Sequence, residues 1–194
     1  MLDMRFKGPR VCVFCGTRPG GSPGYTEFAR ELGRGLAEQD VGLVYGGGAS
    51  GIMGAVAEGA ASRGGYVAGV IPHHLMEREQ VAGFATELRV VHSMHERKTL
   101  MYQMADGFVA LPGGLGTMEE LMEVLTWNQL GLHDKPVTLA NVEGYFDAVL
   151  VWLDHALERG FLSPADRALV GAVTTVDGVL ERLREVAAVP APAG

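Results

Sequence analysis

The chain has little cysteine and few lysines. Its 194 residues include two cysteines, two tryptophans and three lysines, Lys7, Lys98 and Lys135, and aromatic residues make up only 7%. Two cysteines cannot build a disulfide scaffold, and a chain of this length with 47% hydrophobic residues buries a full core without one. Cys12 and Cys15 spell C-x-x-C, but inside the strand-like run VCVFC successive side chains point to opposite faces. Residues three apart separate across the sheet, so the pair is expected as two buried structural thiols rather than a redox or zinc site. His73 and His74 are adjacent, face different ways and have no second ligand pair at zinc spacing, so no metal is expected. The formal net charge of −7 argues against a nucleic-acid surface, because phosphate backbones are gripped by clustered Lys and Arg. No apolar run approaches membrane-spanning length and no basic-plus-apolar leader is present, which predicts a cytoplasmic protein without a membrane partner.

What the chain does have is regular alternation. Short β-rich runs over 10–15, 42–45, 66–71, 88–91, 107–111 and 137–141 are separated by helical patterns over 25–39, 51–63, 94–105, 117–130 and 145–159. Near-continuous apolar strands separated by helices predict a parallel sheet covered on both faces, a Rossmann-like doubly wound α/β fold. Ser163 and Pro164 start a short helix near 165–170, and Asp177 is expected to cap a last helix over 178–186. Nothing divides the chain, so a single domain over 10–187 is expected, with 1–9 and 188–194 as loose termini.

Glycine is abundant and concentrated at two strand-to-helix junctions. GFVALPGGLGTMEE runs from a strand through Gly113, Gly114, Leu115 and Gly116 into a helix expected to open at Thr117, followed by Met118, Glu119 and Glu120. GLVYGGGASGIMG does the same through Gly46, Gly47 and Gly48 into a helix begun near Gly51. Glycine lets backbone approach a ligand, and the free N–H groups and dipole of a helix start favour an anion. In a doubly wound fold both junctions lie at the carboxyl edge of the sheet, where ligands bind.

Gly46, Gly48 and Gly51 also read G-x-G-x-x-G, which raises a dinucleotide reading. That motif requires an acid at the end of the next strand to hold the ribose. Here that strand ends at Ile71 and Pro72, and the first acid beyond it is Glu77. A mononucleotide fits better than NAD.

Two charged residues stand out. Ser93 is placed to cap a helix with Glu96, which puts Arg97 on the stripe Met94, Arg97, Met101, Met104, where a guanidinium needs an anionic partner. Glu120 has two readings, a chemical carboxylate beside the cradle or the last member of a Thr117-x-x-Glu120 capping box, and the residues alone do not choose between them.

PGGxGTxxE at Pro112 to Glu120, GGGxxGxMG at Gly46 to Gly54 and MHERK at Met94 to Lys98 resemble the LOG ("lonely guy") family of nucleotide phosphoribohydrolases. VFCGT, VYGGG, GVIP, TWNQLGLHDKP and GFL extend the resemblance over most of the chain. It implies that Glu120 is the catalytic carboxylate working with Arg97. Gly46, Gly47, Gly48, Gly51, Glu79, Lys98, Gly113, Gly114, Leu115, Gly116, Thr117, Met118, Glu119 and Thr126 would then bind substrate. The implied reaction is hydrolysis of the N-glycosidic bond of an N6-substituted or plain adenosine 5'-monophosphate, without organic cofactor or metal, in a homodimer with its sites near the interface. The family commonly has CGSS where this chain has Cys15, Gly16, Thr17 and Arg18, which puts a cation in the first loop. A non-catalytic nucleotide or molybdenum-cofactor carrier of the same fold is the alternative. Retention of both Arg97 and Glu120 argues against a carrier, which needs the cradle but not the pair.

Overall fold

The computed structural model describes residues 6–76 and 83–187. Seven strands, β1 (Arg10–Phe14), β2 (Gly42–Tyr45), β3 (Val67–Pro72), β4 (Glu87–Val91), β5 (Gly107–Ala110), β6 (Val137–Ala140) and β7 (Val170–Val173), form one all-parallel sheet in the order β4-β3-β2-β1-β5-β6-β7. The helices are α1 (Pro23–Glu38), α2 (Gly51–Ala61), α3 (Met94–Met104), α4 (Leu115–Gln129), α5 (Asp147–Glu158), α6 (Pro164–Ala168) and α7 (Val176–Ala187). Strand alternation splits the core in two. Val11, Val13 and Cys15 pack with α1, α2 and α7 on one face, while Cys12, Phe14 and Phe108 pack with α3, α4 and α5 on the other. The two cysteines are buried on opposite faces, as the strand alternation requires.

The strand order reverses between β1 and β5, each bonded to the other and leading outward in opposite directions. This switch point opens a crevice beyond the carboxyl ends of the strands, where loops diverge to opposite faces. Leucine and alanine cover most of the inner helix faces, but α1 and α2 meet through glycine. A Cβ on Gly33 would strike the Val56 carbonyl oxygen, and one on Gly59 the Arg30 carbonyl oxygen, so the two backbones touch where no side chain fits.

Several sequence expectations need correction. α1 starts at Pro23, because Ser22 accepts a hydrogen bond from the Gly24 N–H and Pro23 takes the first helical position, where its missing N–H costs nothing. β7 was unforeseen: VGAV is short, carries a glycine and is assigned only by its pairing with β6. α7 begins at Val176, and its cap is Thr175, whose Oγ1 accepts from the Gly178 N–H, not Asp177. The expected helix 145–159 is shorter and preceded by a 3-10 turn, Val142–Gly144, in which Glu143 (φ 52°) and Gly144 (φ 72°) are both left-handed. Such a pair cannot continue a right-handed helix.

Candidate active site

Three loops meet at the switch point, and Gly16 joins them. Its N–H donates to the Pro112 carbonyl and its carbonyl accepts from the Met53 N–H, both at 3.0 Å, tying the loop after β1 to the one after β5 and to the first turn of α2. A side chain at 16 would crowd the Gly113 Cα. Gly51 at φ 61° lies against the backbone of Thr17 and Arg18, a contact that excludes any Cβ. Gly46, Gly47 and Gly48 are buried at the end of β2 and Gly47 is left-handed (φ 84°). The two glycine junctions therefore form one continuous surface.

α4 starts at Leu115 with Gly114 as N-cap, two residues earlier than expected. Thr117 is thus inside the first turn, buried, with its Oγ1 occupying the space that a Cβ on Gly113 would need. It caps nothing, and Glu120, one turn further, is not the partner of a capping box. The helix start has no side-chain cap at all, and neither does that of α2, whereas α1, α3 and α6 each have a serine cap. The N–H groups of Leu115 and Gly116 precede the first intrahelical bond, Met118 N–H to Gly114 carbonyl, and lie on exposed residues at the crevice mouth. Leu115 itself is 92% exposed.

Gly114 and Gly116 differ from the other glycines here. A Cβ at either position would meet nothing within 4 Å, and neither residue has a positive φ. Gly113 is required by Thr117, and Gly46 by a guanidinium. The fold makes no such demand at 114 or 116.

Arg97 is 5% exposed and lies with Met101 and Met104 on the inward stripe of α3, under the Ser93 cap that bonds the Glu96 N–H at 3.1 Å. The Glu96 carboxylate reaches back to the His92 N–H at 2.8 Å, so the turn is closed at both ends. This orients Arg97 toward β2, where its Nη2 donates to the Gly46 carbonyl at 3.2 Å. Nη1 also approaches the Met94 sulfur at 3.9 Å. Glu120 projects from the second turn of α4 into a narrow cleft between α3 and α4, with Phe14, Met101 and Trp127 among its walls. Both charges are felt at Cys12 on β1. Burial pushes the thiol well up, Glu120 adds to that, and Arg97 with Lys135 opposes it.

The remaining expected residues divide. The Lys98 ammonium, its side chain 12% exposed, bonds Glu119 and Glu123 on α4 at 2.5 and 2.9 Å. Burial works to lower its pKa, and the hydrogen bonds it donates to both carboxylates, with their charges, outweigh burial, so the net shift is upward. Met118 is half-buried against the core. Thr126 is exposed near the far end of α4, with its hydroxyl donating to the Met122 carbonyl at 2.7 Å. Glu79 lies outside the described residues. Arg18 is exposed at the mouth of the first loop. Sequence reading missed Tyr145, whose hydroxyl donates to the Gly113 carbonyl and stacks edge-on with Tyr25. It also missed Glu143, which accepts from Ser22 Oγ at 2.8 Å at the start of α1. Both contacts cross long stretches of chain, and no local pattern announces them. Among the described residues, no group of three or more His, Cys, Asp or Glu side chains is disposed to hold a metal ion.

A family model described as "possible lysine decarboxylase" matches residues 53–183. A probable cytokinin riboside 5'-monophosphate phosphoribohydrolase of Oryza sativa subsp. japonica is 47% identical over 183 residues, covering 94% of this chain and 74% of the relative. A cytokinin riboside 5'-monophosphate phosphoribohydrolase of Arabidopsis thaliana is 46% identical over 178 residues, covering 92% and 83%. The chain belongs to the LOG family. Its fold is also that of the molybdenum cofactor carrier protein of Chlamydomonas reinhardtii, at a TM-score of 0.74, 22% identity and coverage of 94% of this chain and all of the carrier. That likeness concerns architecture alone, and a shared fold does not fix an activity.

Proposed function

We propose that this chain hydrolyses the N-glycosidic bond of an adenine-type nucleoside 5'-monophosphate, with N6-substituted AMP as the preferred class, giving the free base and ribose 5-phosphate. The observation that carries this reading is the pair Gly114 and Gly116, glycines without a structural reason, at an uncapped helix start beside Glu120. Bare backbone there lets an anionic group approach the N–H groups of Leu115 to Thr117 and the positive end of the helix dipole. Since Thr117's hydroxyl is packed on Gly113, its role is its backbone N–H.

As the bond from C1' to the base nitrogen breaks, the ribose gains oxocarbenium character and the base gains electrons. Glu120 stabilises the positive carbon and takes a proton from the attacking water, whose oxygen becomes the new C1' hydroxyl, and that proton passes on to the leaving base nitrogen, which keeps the electron pair of the broken bond. Arg97, fixed by Gly46, positions the carboxylate and the ribose. The phosphate contributes binding energy remote from the reacting bond, which holds the ribose in reactive geometry. Close relatives named for this activity support the reading. Decarboxylation by a lysine Schiff base has less support, since Lys98 is held charged by Glu119 and Glu123 and Lys135 is on the loop leading into β6, at the opposite edge of the sheet.

The test is incubation with AMP, N6-substituted AMP, adenosine and NAD, followed by chromatography for released base. Base should appear from the monophosphates and far more slowly from adenosine. Equal kcat/KM for adenosine and AMP removes the phosphate cradle, and release of nicotinamide from NAD as the main activity replaces the reading.

A further inference from the structure

We propose that His133, on the loop between α4 and β6, is a positioning residue that holds the helices bearing Arg97 and Glu120 in register only while its imidazole is neutral. The inference rests on the functional reading above. α3 and α4 lie side by side with their starts at the crevice, and at the crevice end Lys98 joins them. At the other end the loop supplies the hydrogen bonds that join them. His133 Nε2 meets the Val124 carbonyl on α4 at 2.9 Å, and Nδ1 accepts the Lys135 N–H at 3.0 Å. Lys135 Nζ donates to the Tyr102 carbonyl on α3 at 2.8 Å and sits 4.0 Å from the centre of that ring. Asn128 on α4 holds the Lys135 carbonyl at 3.1 Å. Tyr102 packs edge-on against Trp127 of α4, and His133 lies against Tyr102 and Phe108. Val124 follows Glu120 by four residues, about 6 Å of rise, so the clip grips α4 just behind the carboxylate.

These partners fix the protonation state. A carbonyl only accepts and a backbone N–H only donates, so the ring must carry its proton on Nε2 and a lone pair on Nδ1. A second proton would land on Nδ1, facing the Lys135 N–H, and the loop would be released. The charged groups around the ring are Lys135 and Asp134 on the loop, with Asp106 before β5 acting on Lys135. From α3 and β5 the ring meets only Tyr102 and Phe108, and from α4 the Val124 carbonyl. Burial lowers the His133 pKa from the ordinary 6.5, the Val124 carbonyl works against that, and the nearby Lys135 ammonium adds to the lowering. A folded-state pKa below the unfolded one gives a contribution that is complete above 6.5 and is lost as pH falls through the folded value.

His133→Gln keeps an N–H for Val124 and does not titrate, whereas His133→Ala removes both bonds. His133→Ala should lower kcat for AMP at neutral pH by roughly 10- to 100-fold with little change in KM, the scale on which a small misplacement acts. His133→Gln should restore most of kcat and move the acid limb of the kcat profile to lower pH, because no imidazole is left at the clip to take up a proton. Full kcat in His133→Ala, or an unmoved acid limb in His133→Gln, overturns the proposal. Should His133→Ala fail to fold, Lys135→Met, which keeps the packing stem and loses the donor, must show the same loss of kcat. Independently of activity, ring nitrogen NMR shifts of the wild type should report a single Nε2–H tautomer titrating below 6.5. A mixed tautomer or an ordinary pKa overturns the clip. Absence of base release by the wild type from every monophosphate would instead overturn the functional reading, and the NMR result would stand apart from it.

Discussion

A methyl group at position 46 would overlap the Arg97 guanidinium, which makes Gly46 and Arg97 a single functional unit separated by 51 residues. Gly46→Ala should therefore lower kcat nearly as much as Arg97→Ala while leaving the melting temperature within a few degrees, because the atoms in the way, Arg97 Nη2 and the end of the Met53 side chain, belong to flexible side chains rather than backbone. Arg97→Ala and Glu120→Gln should each lower kcat by roughly 10²- to 10⁴-fold, and the double substitution by less than the product, since both act on one transition state. Steady-state kinetics on AMP decides both. Tyr45 offers the opposite experiment. Its hydroxyl is buried without a hydrogen-bond partner among the described residues, and burial raises its pKa to about 12. Tyr45→Phe removes an unsatisfied group and should be neutral or stabilising by up to about 1 kcal/mol in urea denaturation at neutral pH. A folded pKa raised above the ordinary 10 favours the fold fully below pH 10 and loses that contribution as pH rises toward about 12. Wild-type stability should thus fall more steeply than that of Tyr45→Phe across that window, and parallel curves would contradict it.

At the scale of elements, α4 shows how a helix start is reserved. Gly116 sits in the first turn with open space where a Cβ would go, so Gly116→Ala should raise stability by about 0.5–1 kcal/mol, as alanine replaces glycine in a helix. The same substitution should weaken AMP binding, because the methyl group stands where the phosphate approaches. A thermal-shift titration reads both effects, and unchanged AMP affinity would make the bare helix start a coincidence. The α1–α2 contact is the reverse case. Gly59→Ala forces a methyl group onto the Arg30 carbonyl and should cost about 1–3 kcal/mol, the range for overpacking, with kcat per folded molecule unchanged.

On the scale of the whole molecule, the outer face carries more apolar surface than a solitary domain of this size needs. Leu130, Leu132, Val151, Trp152 and Phe161 are all exposed, on and around α4 and α5. Exposed large apolar side chains mark association sites, and we propose that these meet a second copy of the chain in a homodimer. Trp152→Glu should shift the sedimentation mass from dimer to monomer. A wild type that sediments as a monomer at micromolar concentration removes the proposal. Among the described residues no helix is long and apolar enough to cross a membrane.

The alternation of apolar runs with 3.6-periodic segments was enough to predict six of the strands, the parallel sheet and the crevice edge, because burial on both faces writes itself into local composition. Ser93 as a cap, Arg97 on an inward stripe and the two cysteines on opposite faces were equally local matters and equally legible. β7 was not legible, since an edge strand of four residues exists only by pairing with β6. Nor was the first turn of α4: Thr117-x-x-Glu120 reads as a cap until Gly114 is seen to end the loop and Thr117 to pack on Gly113. The sequence by itself determined which residues carry charge and where backbone is bare. Only the tertiary structure decided which glycines the fold requires and which it leaves open, and that Tyr145 and His133 brace the loops and helices around the crevice. Those facts depend on contacts between segments 30 to 120 residues apart or on a helix's rotation about its axis, and neither quantity has a local chemical signature.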